Sequence, residues 1–338
     1  MKKFKVITAA AVVIILIISI YIFVPDHEKS VVVYSADAYV GEVNALIAGF
    51  HNSTGIQVNS AIGGGSFTIG REIGNGDPAN LFFSVSRTAY SRMYLETRYS
   101  GWAVALAGDS LVLAYSGAVV NASKTSIIND FNTANRNNNT SLFSYAFDLL
   151  TSGSFRVGIS NASSDPAGLR AFISLEIAGY LYAAGNETYY IHRLAANGGL
   201  VSASSAADLV APLENGQISF LYIYRSAAIS KGLDYISFPD ALSFGNYSLA
   251  SFYSDFSYNT EAGPVPGYPV FLYVSIPANE SLVSESQELV LYSIENRTLL
   301  AGFGMVIQDK PIIFYNSTAP SFLSGLIKSG SLSYGGYL

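Results

Sequence analysis

Residues 31–50 read VVVYSADAYVGEVNALIAGF. Val31 to Ser35 form a short apolar run of the kind that makes a fully buried strand. Val40, Val43, Leu46, Ile47 and Phe50 then recur at helical spacing. Between them lies SADAY, a small polar turn. The same strand–turn–helix pattern repeats downstream. GIQVNSAI leads through a glycine turn into GGGSFTIGREI. NLFFSVS leads into RTAYSRMYLETR. WAVALAGDSLVLAY then gives two short strands around Gly108 and Asp109. Alternation of this kind predicts an α/β fold with a mostly parallel sheet and helices on both faces.

Residues 121–141 are rich in Asn, Ser and Thr and read as an exposed loop or ragged helix. SFRVGIS resumes the strand pattern. PAGLRAFISLEIAGYLYAAG reads as a helix of about five turns ended by Gly185. LENGQISFLYIYRSAAISKGLDYISFP reads as strands around a short helical piece. YPVFLYVSIP is a further strand, and SLVSESQELVLYSIENRTLLAGFG a late amphipathic helix. No solenoid or propeller period is present.

Composition narrows the class. Half of the 338 residues are hydrophobic, 12% are charged and the net charge is −6. A chain this apolar has the material for a large core and is not disordered. It has no basic run that could track a phosphate backbone, so nucleic acid is not an expected partner. Cysteine is absent, so the core must carry stability without disulfides.

At the start, Lys2, Lys3 and Lys5 precede an unbroken apolar run from Val6 to Val24. As a helix it would be roughly 28 Å long, about the thickness of a bilayer core. Pro25, Asp26 and His27 follow directly, with no small-x-small cleavage site. Residues 1–24 are therefore expected to be a membrane anchor, 25–30 a linker, and the rest to lie outside the cell. A cleaved signal peptide is the alternative. N-x-S/T sequons at Asn52, Asn121, Asn138, Asn139, Asn161, Asn186, Asn246, Asn279, Asn296 and Asn316 suit a glycosylated exterior protein.

Catalytic templates fit badly. His27, His51 and His192 are isolated, without a metal-ligand neighbour at i+3 or i+4. GSFTIGRE has P-loop glycine spacing, but Arg71 and Glu72 stand where Lys and Ser or Thr are needed. There is no G-x-S-x-G elbow. No enzyme activity and no cofactor are expected.

Open α/β sheets bind ligands beyond the carboxyl ends of their strands. SADAY, GGGS and SNASSDPAG all have that geometry, each leading into a helix N-terminus that favours an anion. Asp165 precedes Pro166, a preferred helix cap followed by proline at the first helical position. It can cap, contact a ligand, or both. Ser66 can cap its helix or donate to an oxyanion. Ser84 and Ser110 stand at strand ends. Tyr222 and Tyr224 flank Ile223 and can offer a phenol to a cleft or pack in the core.

Four of these stretches, GGSFTIGREI, GWAVALAGDSLVLAYS, GISNASSDPAGLRAF and YIYRSAAISKGLDYISFPD, resemble the extracellular tungstate/molybdate-binding proteins of ABC importers, in particular the archaeal branch. Their order matches, and the likeness spans roughly residues 31–325. The resemblance implies a two-lobed periplasmic-binding-protein-like fold, each lobe a mostly parallel sheet flanked by helices, with ligand in the cleft. One lobe would comprise 31–112 and 275–338, the other 113–274. It implies a monomer that captures tungstate, molybdate or sulfate and delivers it to a membrane permease driven by an ATPase. In the archaeal branch two carboxylates complete an octahedral shell around the oxyanion's metal atom. Asp165 falls on the first, but Ile223 stands where the second, a Glu, is expected. Ala38 falls on the family's first-loop serine with Asp37 beside it, Asn80 replaces an Asp, and Arg225 replaces a Lys. The resemblance thus implies a ligand set of Asp37, Ala38, Ser66, Ser84, Ser110, Asp165, Tyr222 and Tyr224. Asp165 would touch a metal centre only in the octahedral mode. A receptor for a neutral solute such as a sugar, or a glycosylated envelope subunit, are the competing readings.

Overall fold

The structure is a computed structural model that describes residues 30–279 and 281–338. The expected anchor, 1–24, and all of the linker but Ser30 lie outside the described residues. Among the described residues no helix is long and apolar enough to cross a membrane.

Val31–Leu338 carries two main sheets. The strands in chain order are β1 (Val33–Ala36), β2 (Ile62–Gly64), β3 (Leu81–Ser84), β4 (Trp102–Gly108), β5 (Leu111–Tyr115), β6 (Val157–Gly158), β7 (Leu200–Val201), β8 (Phe220–Tyr224), β9 (Asp234–Ser237), β10 (Ser257–Thr260), β11 (Gly263–Pro266), β12 (Phe271–Ser275), β13 (Ile312–Tyr315) and β14 (Ser333–Tyr334). The first sheet has the order β14-β13-β4-β12-β3-β1-β2, the second β7-β6-β8-β5-β9, and β10–β11 is a separate hairpin.

Both sheets are mixed, not mostly parallel. β1 runs parallel to β2 and β3, as the βα repeats require. β12 runs antiparallel to both β3 and β4, and β13 antiparallel to β4. In the second sheet β6 is parallel to β7 and β8, while β5 is antiparallel to β8 and β9. The antiparallel strands are those that flank the crossovers from one sheet to the other. Such a strand enters without a helical return and is free to run against its neighbours. The chain crosses at Asp109–Ser110 and returns at residues 267–270. β5 therefore begins the second sheet ahead of the expected boundary at 112, and β12 joins the first ahead of 275.

Periodicity explains the helices. Val40–Thr54 turns Val43, Leu46, Ile47 and Phe50 inward and closes on Gly55 in the left-handed conformation. Phe50 meets Tyr292 of the Val283–Glu295 helix edge-on, with ring centroids 5.6 Å apart. Pro166–Tyr182 buries 13 of its 17 residues, so it lies inside the fold rather than on it. The polar stretch 121–141 is two regular helices, Ala122–Asn137 and Thr140–Leu150, not a loop. Asn121 and Asn139 cap them, accepting from Lys124 N–H at 2.9 Å and Leu142 N–H at 3.0 Å. The third expected helix, 87–98, is instead broken into three short turns. All ten sequon asparagines reach the surface; Asn246 and Asn296 are half-buried and the others exposed.

A cavity closed between two carboxylates

The turns after β1 and before the Pro166–Tyr182 helix meet at a small cavity between the two sheets. Its volume is about 20 Å³, and Ala36, Asp37, Ala38, Val85, Asp165 and Ile223 are among its walls. The remaining wall is Ala167, Ala206, Ala207, Ala227 and Lys231. By the same measure one water needs about 10–15 Å³. As it stands the space therefore holds one or two waters, and a larger solute enters only as the lobes part. The lining is alanine-rich and its polar side chains are two acids and one lysine.

Asp165 is buried and caps its helix from the β-region, but it does more than cap. Oδ1 accepts from the Ala167 N–H at 3.0 Å, and Oδ2 accepts from the Ala206 N–H at 2.9 Å. Two amides that could have cradled an external anion are thus held by an internal one. Desolvation raises its pKa; the bonds from Ala167 and Ala206 and the charge of Arg170 oppose the rise. Asp37 opens the 3-10 turn after β1 and faces the same cavity from the other lobe. Its pKa is also raised, first by desolvation, against a hydrogen bond from Ser205, and further by the charge of Asp165. Both acids therefore line the cavity, one from each lobe, close enough to feel each other's charge.

The glycine loop serves this geometry rather than cradling an anion. A Cβ on Gly63 would sit 2.7 Å from Asp37 Oδ1, so a side chain there would push that carboxylate aside. The helix that starts at Ser66 does not keep its first amides for a ligand. Phe67 and Thr68 donate them to the Ser164 carbonyl of the other lobe, at 3.2 and 3.4 Å. Arg71 Nη2 donates to the Ser163 carbonyl at 3.0 Å. These contacts hold the lobes closed. A Cβ on Gly65 would lie 2.4 Å from Ser164 O, a backbone atom that cannot move aside. Gly65→Ala is therefore expected to block closure while leaving each lobe folded. Small-angle scattering should show a more open particle, and a particle of unchanged size would contradict the assignment.

Of the residues expected at the site, Asp37, Ala38 and Asp165 line the cavity. Ser66, Ser84, Ser110, Tyr222 and Tyr224 do not. Ser66 Oγ accepts from the Val85 N–H at 3.2 Å and so shapes the wall from behind. Ser84 Oγ donates to the Ser86 carbonyl at 2.9 Å and accepts its N–H at 3.0 Å, closing a local turn. Ser110 lines a separate cavity of about 240 Å³ with Arg225 and Asp240. Tyr222 stacks on Phe238 at 5.6 Å in the core. Tyr224 stacks on Tyr39 at 6.0 Å, and its hydroxyl accepts from Arg170 Nη1 at 2.8 Å. Asn80 accepts the Val32 N–H at 2.8 Å and fixes β1 instead of reaching the cleft. Arg225 Nη2 donates to the Gly304 carbonyl rather than to an anion.

Three site features went unread in the sequence: Lys231, Ser205 and the Ala206–Ala207 turn. The last two belong to LVSASSAADL, a fourth strand-end turn built only of small residues. Asp208 folds it, accepting from Ser204 Oγ at 2.7 Å and the Ser205 N–H at 3.1 Å. Behind the cavity, Arg170 is buried and fully engaged. It donates to the carbonyls of Val85 at 3.0 Å, Tyr268 at 3.1 Å and Pro269 at 3.3 Å.

The chain is similar to known proteins in sequence and in fold. A sequence profile of the bacterial extracellular solute-binding protein family matches residues 31–264. An uncharacterized solute-binding protein of Saccharolobus solfataricus is 35% identical over 91% of this chain and 78% of its own. A molybdate/tungstate-binding protein of Thermococcus kodakarensis is 21% identical over 56% of this chain and 59% of its own. Among solved structures, the periplasmic molybdate-binding protein of Azotobacter vinelandii superposes with a TM-score of 0.57 at 17% identity, over 82% of this chain and all of its own. The profile covers more than half of the chain and the Saccharolobus relative nearly all of it, so the chain belongs to the family of bacterial extracellular solute-binding proteins, two-lobed receptors that work with ABC-type importers.

Proposed function

We propose that this receptor captures molybdate or tungstate, with sulfate excluded, and hands it to a membrane permease driven by an ATPase. One observation carries the reading: two acidic residues from opposite lobes, Asp37 and Asp165, line one cavity of about 20 Å³. The size argues against a sugar. A hexose, with about a dozen heavy atoms, would have to force the lobes apart much further than a five-atom oxyanion.

The charge argues for a metal-centred anion. A carboxylate about 4 Å from a dianion costs about 8 kcal/mol at an effective dielectric near 20, twice the unit-charge figure. Two of them would expel sulfate, whose centre takes no further ligands. A molybdenum or tungsten centre accepts carboxylate oxygens as ligands and turns the repulsion into bonding. Asp37 then supplies from the first loop what Ile223 does not supply from β8. The second lone pair of each Asp165 oxygen remains for the metal after the amides of Ala167 and Ala206 are served. The molybdate/tungstate-binding relative agrees with this ligand class. In this reading the lobes hinge at the two crossovers, and the N-terminal run tethers the receptor outside the membrane.

The test is a melting series of the full-length chain with tungstate, molybdate, sulfate and glucose. Ligand at 100 times its dissociation constant stabilises by about 2.7 kcal/mol. Tungstate and molybdate should raise the melting temperature, and sulfate and glucose should not. A shift with glucose alone, or with no oxyanion, would overturn the proposal.

A further inference from the structure

A second and larger cavity lies where the return crossover joins the lobes. Its volume is about 260 Å³, and it shares no wall residue with the cavity of Asp37 and Asp165. Arg87 and Phe314 reach it from the first lobe, Tyr247 and Ser251 from the second, and Tyr268 from the crossover itself. By the same measure one water needs about 10–15 Å³, so this cleft admits a molecule of ring size as it stands.

One wall is aromatic. Tyr247 meets Phe271 with ring centroids 5.8 Å apart, Phe271 meets Tyr273 at 5.8 Å, and Tyr273 meets Phe314 at 6.0 Å. These rings step from the second lobe across β12 to β13. Arg87 supplies the charge. Its guanidinium carbon stands 3.8 Å from the centroid of the Tyr268 ring and 5.3 Å from that of Phe314. Stacking on Tyr268 holds the guanidinium plane and leaves its edge, where the N–H groups are, for a partner. Nη1 donates to the Tyr337 carbonyl at 3.2 Å, and the remaining N–H groups have no acceptor among the described residues. No acid is among the described residues that line the cleft, although the chain carries a net charge of −6.

Tyr273 is an independent sign of a ligand. It is only 2% exposed, yet its hydroxyl has no hydrogen-bond partner among the described residues. Tyr222 also has an unpartnered hydroxyl, but that one is enclosed in the core, whereas Tyr273 lines the cleft. Burial raises the Tyr273 pKa to about 12, against the charges of Arg87 and Arg170, so the hydroxyl keeps its proton and is a donor at neutral pH. A buried donor without an acceptor is costly until something enters to meet it.

We propose that this cleft is a second ligand site, separate from the solute cavity, and that it takes a flat organic carboxylate. The ring of the ligand packs on the aromatic wall. Its carboxylate accepts from the free edge of Arg87 and from the Tyr273 hydroxyl. An inorganic oxyanion would leave the rings uncovered. A neutral sugar would find few acceptors for its hydroxyls, because no carboxylate or carboxamide side chain is among the described residues of the lining.

Calorimetry on the full-length chain, with phenylacetate as the probe, tests the chemistry. Phenylacetate should bind at least about tenfold more tightly than benzyl alcohol, which lacks the charge, or acetate, which lacks the ring. Arg87→Gln should weaken it by about tenfold or more and Tyr273→Phe by about threefold, with apo melting showing that each variant is folded. The place is tested separately. The chain has no cysteine, so Ser251→Cys, exposed on the rim of the cleft, introduces a single thiol. Phenylacetate should slow its reaction with a thiol-reactive dye. It should leave that of Ser123→Cys, exposed on the Ala122–Asn137 helix, unchanged. Binding no tighter than that of benzyl alcohol or acetate overturns the proposal. So does binding that folded Arg87→Gln and Tyr273→Phe both leave unaltered, or a Ser251→Cys thiol that phenylacetate does not protect. If a variant does not fold, the comparison of the three probes on the wild type and the thiol protection decide.

Discussion

Arg170→Ala is expected to lower stability by at least roughly 3 kcal/mol, because it strands several buried acceptors, at about 1–3 kcal/mol for each left unsatisfied. The guanidinium serves three carbonyls and the Tyr224 hydroxyl, and the residue is only 3% exposed. Two of those carbonyls, Tyr268 and Pro269, lie on the return crossover, and the third, Val85, on a wall of the cavity. Arg170 therefore ties the helix under the site to both lobes. Arg170→Lys should recover only a part of the loss, since an ammonium cannot span the fork of acceptors. Urea unfolding of both variants measures this. A change below about 1 kcal/mol in the alanine variant would show that water replaces the guanidinium at little cost, and would remove Arg170 from the account.

The second large effect concerns the solute. Asp37→Asn is expected to weaken tungstate binding by a factor of ten or more, because an amide is a poorer ligand for a metal centre than a carboxylate. Its fold should survive, since burial already disfavours the Asp37 charge and the amide carries none. Asp165→Asn is a less clean probe than capping alone suggests. Asn matches Asp as a helix cap. Here, however, one oxygen serves Ala167 and the other Ala206, so an amide NH₂ would confront an N–H. A loss of about 1–3 kcal/mol in the apo protein should accompany its loss of tungstate affinity. Calorimetry beside apo melting separates the two variants. If both bind tungstate as well as the wild type, neither carboxylate touches the metal.

Much of this was legible in the sequence, and the limits have physical causes. The βα repeats from residue 31, the buried strands and the Pro166–Tyr182 helix follow from periodicity, which reports burial directly. Strand direction does not leave that trace, so the antiparallel strands at the crossovers read as parallel ones. The Asn-rich helices were masked by their own caps, although Ile127, Phe131 and Ala134 keep helical spacing within them. At the site, Asp165 and Asp37 were visible as acids at strand-end turns. Their partnership was not, because it arises only when two lobes close. The hydroxyls lie off the cavity wall for a related reason. Ser66 and Ser84 stand where donors would be useful, yet buried backbone groups nearby needed them first. The 204–207 turn carries no motif, Lys231 sits at an unspecified position of one, and both become part of the site through topology.

The central claim is that Asp37 and Asp165 bind the metal atom of the captured oxyanion. X-ray absorption at the tungsten edge, on the full-length chain loaded with one equivalent of tungstate, tests it most directly. The account predicts a six-coordinate tungsten, with two oxygens beyond the four of free tungstate and one of them lost in Asp37→Asn. A four-coordinate tungsten with the spectrum of free tungstate, unchanged by either substitution, would contradict it.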